Sequence, residues 1–209
     1  MRRKLRVLDV LKEIAGEKAA GPRPLFSQLD LARAIEIIGM EHIGRNKLSE
    51  RLGLGEGTTR TLIDRLLDAR LIEISRSGCE LTRSGQSILN ELNVRFGARS
   101  KVSRSSVTVG AHNFGILVKG AANRIKSGIE QRDAAVRAGA DGAVTFVVKH
   151  GELVMPPPAE SRMRGQENVA KRIQEIFQPQ ENDAIIIAGA DSERNAEEGA
   201  RAAAWTLLE

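Results

Sequence analysis

Leu5, Leu8, Leu11 and Ala15, with Val7 and Ile14 beside them, recur at helical spacing, so residues 4–16 read as a short amphipathic helix. Gly21-Pro22-Arg23-Pro24 breaks the chain behind it. Ser27 followed by Asp30 has the form of a capping box, in which short side chains answer the free N–H groups of a helix start. Phe26 and Leu31 are spaced for a hydrophobic staple across that cap. Leu31, Ala34, Ile35 and Ile38 make the apolar stripe of the following helix, and Gly39 is expected to end it. Two shorter helices follow, 46–52 and 56–69, separated by the turn Gly53-Leu54-Gly55. A strand over 71–75, a turn at Ser77-Gly78, a return strand over 80–82 and a helix over 83–95 complete the first half. Ile88, Leu89 and Leu92 face inward on that last helix.

The second half alternates differently. Strands are expected at 107–118, 143–149, 152–155 and 184–189, and helices at 120–138, 167–177 and 193–208. Glycines punctuate nearly every junction between them. The polar, small and basic run GARSKVSRSS over 97–106 reads as a linker. The resulting organisation is a first domain over 1–98, a connection over 99–106 and a second domain over 107–209. The fold class is α/β with two domains: a mainly helical first one, and a second built as an α/β or α+β sandwich with a small mixed sheet.

At 209 residues, with 41% hydrophobic and 28% charged positions, the chain is long enough for two domains that each bury a core. Charge sharpens the division. Residues 1–104 hold 20 Lys/Arg against 13 Asp/Glu, a balance of +7, whereas residues 105–209 hold 12 against 14, a balance of −2. A basic half beside a weakly acidic one points to a polyanion as partner of the first half. The single cysteine, Cys79, excludes an intrachain disulfide and fits a reducing compartment. Charges interrupt the apolar stretch behind the basic N-terminus, so it does not read as a secretory signal. The strongest apolar run, 184–190, is far too short for a bilayer. A cytoplasmic location without membrane contact is expected.

The segment NKLSERLGLGEGTTRTLIDRLLDARLIEISRSGCELTRSGQSILNEL, residues 46–92, carries the functional reading. Leu48, Leu52 and Leu54 bury one face of the first short helix and its turn. Leu62, Ile63, Leu66 and Leu67 bury the back of the second. Its front then presents Glu56, Gly57, Thr58, Arg60, Thr61, Asp64 and Arg65. An apolar back with hydroxyls and guanidinium groups in front suits a helix held in the major groove of double-stranded DNA. The residues expected at DNA are Arg45, Lys47, Glu56, Thr58, Arg60, Thr61, Arg65 and, in the turn between the strands, Arg76. Arg65 has a second reading, as an ion pair with Asp64 or Asp68 on its own helix.

LSERLGLGEGTTRTLIDRL, the exit strand ARLIE, the short wing SRSGCE and the helix start LTRSGQSIL resemble winged helix-turn-helix regulators of the MarR and related types. The resemblance departs from the common pattern at Gly57, early in the recognition helix, and in the shortness of the wing. The whole chain resembles an archaeal family in which such a domain precedes a domain of unknown function, on LGLGEGTTRTL, SGIEQRDAAVRAGADGAVT and AEEGARAAAWTLL. The role this implies is transcriptional regulation; it implies no activity for the second half.

Three features of the second half stand out. NRIKSGIEQRDAAVRAGA places Arg124, Arg132 and Asp133 among small residues, either as a solvated face or as a contact for an anionic effector. In DAIIIAGADSERNAEEGARAAAWTLL an apolar strand runs through Gly189, Asp191 and Ser192 into a helix. Small residues before a helix start favour anions, while Asp191 and Ser192 are also ordinary N-caps. Ala196, Ala200, Ala203, Ala204 and Leu207 form a small-residue face that fits either the domain's own sheet or a second copy in a homodimer. The third feature is Pro156-Pro157-Pro158, a stiff tract after the expected hairpin. His42, His112 and His150 lack metal-ligand spacing, and there is no phosphate loop, nucleophile elbow or zinc-protease motif. No cofactor and no enzymatic activity are expected. Three function classes follow: a one-component regulator with a sensing or dimerisation domain, a winged-helix scaffold in a larger complex, and an enzyme fused to a DNA-binding domain.

Overall fold

The computed structural model describes residues 6–16, 24–156 and 165–208 and divides the chain into two compact units, residues 1–93 and 94–209. Leu5 of the first expected helix, Gly21-Pro22-Arg23 of the expected break, and Pro157 and Pro158 lie outside the described residues.

The first unit holds α1 (Arg6–Ala15), α2 (Gln28–Met40), α3 (Arg45–Leu52), α4 (Glu56–Asp68), the hairpin β1 (Ile72–Ser75) and β2 (Gly78–Leu81), and α5 (Arg83–Arg95). The capping box forms: the Ser27 N–H donates to Asp30 Oδ2 at 2.7 Å, and the Asp30 N–H donates to Ser27 Oγ at 3.2 Å. Such a cap contributes about 1 kcal/mol. Leu11, Leu31, Ile35, Leu48, Leu62 and Leu66 are fully buried. The helix expected to stop at Gly39 runs on to Met40. Gly39 is needed for packing instead, since a Cβ there would stand 2.4 Å from Leu89 Cδ2.

The second unit is a five-stranded sheet in the order β3 (Phe96–Val102), β4 (His112–Val118), β7 (Ala184–Ala190), β5 (Gly142–Lys149), β6 (Glu152–Val154). Every neighbouring pair is antiparallel, where the sequence suggests a mixed sheet. The reason is insertion: β4 and β5 run the same way, but β7 enters between them antiparallel to both. Helices α6 (Ile129–Arg137) and α8 (Glu193–Trp205) pack on one face, and α7 (Glu167–Phe177) covers the other. Covered on both faces, the central β7 is buried at every residue, which accounts for its unbroken apolar run.

Three expectations fail in the first part of this unit. The polar run read as a linker begins as the edge strand β3, paired with β4 from Phe96–Val118 to Val102–Asn113 with a register shift between Phe96 and Arg99. An edge strand tolerates polar residues, so hydropathy does not distinguish it from a connection. The helix expected over 120–138 is two pieces, a 3-10 turn at Ala122–Arg124 and α6, separated at Gly128, whose φ of +78° is left-handed. The strand expected over 107–118 begins only at His112.

Candidate DNA interface

Helix α3 ends on Gly53 in the left-handed conformation, φ +69°, whose N–H donates to Ser49 O at 2.8 Å. The Ser49 hydroxyl donates onward to Leu54 O at 2.6 Å, which fixes the turn into α4. Helix α4 turns Thr59, Leu62, Ile63 and Leu66 inward, while Glu56, Gly57, Arg60, Thr61 and Asp64 are exposed and Thr58 is half-buried. Gly55, its N-cap, contributes no side-chain cap. A Cβ built on Gly55 or on Gly57 would meet nothing within 4 Å. The first turn of α4 therefore presents bare backbone, its leading N–H groups uncapped by any side chain, with Arg60 and Thr61 one turn further on. Chemically, such an arrangement offers main-chain donors at the helix start and a guanidinium one turn further on.

The hairpin behind α4 is a wing held by Ile43 and His42. Ile43 bridges Cys79, the Cys79 N–H donating to Ile43 O at 2.9 Å. Gly78 lies against Ile43 with φ +126°, where a Cβ would come within 2.6 Å of the Ile43 carbonyl carbon. Ser77 ties the tip together: its hydroxyl donates to Glu80 Oε1 at 3.0 Å and lies 3.1 Å from His42 Nδ1. Hydrogen bonds from Ser75 and Ser77, then the nearby His42, hold the Glu80 carboxyl below its usual range. Arg76 stands exposed in the two-residue turn. Sequence reasoning missed Ile43 as a strand partner, because a single bridging residue has no periodicity to read.

The expected DNA residues separate into three groups. Arg45, Glu56, Arg60, Thr61 and Arg76 are exposed, and Thr58 sits half-buried beside them. The Thr61 hydroxyl donates back to Gly57 O at 3.1 Å. Lys47 is exposed but bonded to Glu41 at 2.7 Å, with Arg51 on the other carboxylate oxygen at 2.9 Å. The Lys47 hydrogen bond, with the charges of Lys47 and Arg51, lowers the Glu41 pKa. Arg65 departs from the expectation. Its guanidinium donates to Ile14 O at 2.7 Å and to Gly16 O, and lies 5.8 Å from the Phe26 ring centroid. Its hydrogen bonds go to the carbonyl end of α1 rather than to Asp64 or Asp68.

In the second unit, the residues grouped for an anionic effector do not come together. Arg124 donates to Leu207 O and so ties the 3-10 turn to the C-terminal end of α8. Gly189 and Ala190 are approached by the chain itself: a Cβ on Gly189 would stand 2.3 Å from Gly110 N. Ser192 is the N-cap of α8, accepting from the Asn195 N–H at 3.2 Å, and Asp191 is exposed beside it. The closeness allowed by Gly189 is used by the backbone of Gly110. Arg132 and Asp133 are both exposed on α6. The alanine face of α8 is fully buried against β4, β7 and α6, so it is no dimer surface. Among the described residues no three His, Cys, Asp or Glu side chains gather to hold a metal, and no helix is long and apolar enough to cross a membrane.

Residues 29–95 match the family model of the CggR N-terminal DNA binding domain, and residues 109–207 match a domain of unknown function, DUF4443. Among solved structures, the hypothetical protein PH0730 from Pyrococcus horikoshii OT3 is 32% identical, with a TM-score of 0.69 over 87% of this chain and 92% of that one. A comparison with curated proteins returns no match.

Proposed function

The chain belongs to the family of the archaeal hypothetical protein PH0730 and itself joins a segment matching a DNA-binding domain to one matching DUF4443, and on that premise we propose that it is a one-component transcriptional regulator. The first domain binds double-stranded DNA with α4 in the major groove. Arg60 reads a base, Thr58, Thr61 and Glu56 flank it, and Arg45, Lys47 and Arg76 meet phosphates. The observation that carries this reading is the exposed, uncapped first turn of α4 beside Arg60, on a helix whose other face is packed.

A single recognition helix reads few base pairs, so the protein acts as a homodimer on half-sites about one helical turn apart. The second domain supplies effector sensing, dimerisation or both. Because the alanine face of α8 is already occupied, the pairing surface lies elsewhere.

Affinity of the full-length protein for duplex DNA across a salt series tests the proposal. Each neutralised phosphate releases counterions, so three phosphate contacts per chain give a slope of log affinity on log salt of about −3 per chain. A flat slope, or no binding at low salt, would overturn it.

A further inference from the structure

We propose that the second domain carries a binding site for a small organic carboxylate with a short apolar body, at the N-terminus of α6. A cavity of about 230 Å³ opens there, lined by Gly128, Ile129, Arg132, Val144, Thr145 and Met155, with Pro156 at its rim. A space of that size suits a metabolite of a few heavy atoms. This inference deepens the sensing role proposed above and rests on it.

Four features converge. The first is the helix start. Gly128 is the N-cap of α6 in a left-handed conformation and provides no side-chain cap. Only a 3.4 Å bond to Ser127 Oγ engages the Ile129 N–H. The second is Thr145. Its side chain lines the cavity and its residue is 5% exposed, yet its hydroxyl has no hydrogen-bond partner among the described residues. A buried hydroxyl left unsatisfied destabilises the fold, a cost removed when a ligand oxygen accepts from it.

The third is the end of the β5–β6 ladder. β6 stops at Val154, and continuing the register sets Pro156 opposite Thr145. Proline has no N–H to extend the ladder. Alternation turns the main-chain groups of Thr145 the same way as those of Val147, toward this open edge. The fourth is Arg132, exposed at the cavity mouth, its guanidinium making no hydrogen bond or ion pair to another described residue. Its planar fork matches a carboxylate. Ile129, Val144 and Met155 supply the apolar lining. Glu130 and Asp133 flank Arg132 on α6 but do not line the cavity.

Full-length protein without DNA is titrated by calorimetry and ligand-observed NMR with acetate, isobutyrate, isovalerate, neutral isovaleramide and inorganic phosphate. Isovalerate should bind saturably with a dissociation constant of about 1 mM, within the range a seven-atom ligand reaches. Isovaleramide and phosphate should bind at least about tenfold more weakly. Arg132→Ala, at an exposed position, should weaken isovalerate about tenfold or more. Thr145→Val should do the same while the melting temperature holds or rises, because the unsatisfied hydroxyl is gone. No saturable binding by any of the carboxylates, or isovalerate affinity unchanged in both variants, would overturn the site. Tighter binding of phosphate than of isovalerate would overturn the carboxylate assignment. If no carboxylate binds while the DNA salt slope stays steep, the site fails and the DNA reading stands; if isovalerate binds while the DNA slope is flat, the site stands and the DNA reading fails.

Discussion

Two helix starts in this chain look alike in sequence and differ in the fold. Gly55-Glu56-Gly57 opens α4, and Gly189-Ala190-Asp191-Ser192 opens α8. Both put small residues before a helix, the pattern that suits an anion at a helix dipole. At α8 the structure uses both features internally. Ser192 caps the helix, and the backbone of Gly110 fills the space a side chain on Gly189 would take. At α4 neither happens. No side chain caps the helix at Gly55, and nothing stands near Gly55 or Gly57. Glycine at α8 serves packing; at α4 it leaves backbone open to a partner. The two are separated by what lies across the turn, which local sequence does not carry.

Substitutions press on this contrast, beginning with the largest effect. Gly189→Ala drives a methyl to within 2.3 Å of Gly110 N and 2.6 Å of Asn113 Oδ1. Urea unfolding should show a loss of about 3 kcal/mol; an unchanged midpoint would mean the turn has room after all. Arg65→Ala removes two charge-assisted bonds to the end of α1 and should cost about 2 kcal/mol of stability. If it weakens DNA binding with stability intact, Arg65 belongs to the interface.

Arg60→Ala should leave stability alone and cost about 1–3 kcal/mol on a preferred site, with much less lost on random duplex. Equal weakening on both would make Arg60 a phosphate contact. Gly57→Ala is the sharpest of the set because its two readouts move oppositely. The methyl meets no atom, so the helix should gain up to about 1 kcal/mol. DNA affinity should fall, since the added methyl intrudes where the duplex approaches. Affinity unchanged or improved would take the first turn of α4 away from the DNA.

The smallest expected effect concerns Glu41. Its folded pKa lies below the ordinary value of 4.5, chiefly through the Lys47 hydrogen bond. A lowered carboxylate pKa adds stability that is fully present above pH 4.5 and is lost as pH falls through the folded value. At this half-exposed position the contribution is small and screened by salt. An NMR titration of the Glu41 carboxyl in Lys47→Gln should show its midpoint move up toward 4.5; an unmoved midpoint would show the ion pair to be absent in solution.

Much of the first domain was legible because its signals are local. Ser27 and Asp30 are three residues apart and form the box that spacing implies. Leu62, Ile63 and Leu66 are buried as the helical period requires. The antiparallel neighbours of β7 were not legible, since a fully apolar strand fits any position covered on both faces. β3 reads as a linker because Arg99, Ser100 and Lys101 lie on an edge strand, where polarity carries no penalty. For the candidate site, the front of α4 follows from periodicity. The fate of Arg65 does not, because its partners are carbonyls at the end of α1, with Ile14 51 residues away in the chain. Arg124 misleads for the same reason, its partner being a carbonyl at the far end of the domain.

Hydrogen–deuterium exchange of the full-length protein, with and without a duplex selected from a random pool, tests the DNA-binding role of α4 most directly. Slowed exchange is expected over the first turn of α4, residues 56–61, and in the wing around Arg76, with the start of α8 unchanged. Protection confined to residues 94–209, or none in α4 under conditions where the duplex is bound, would contradict it.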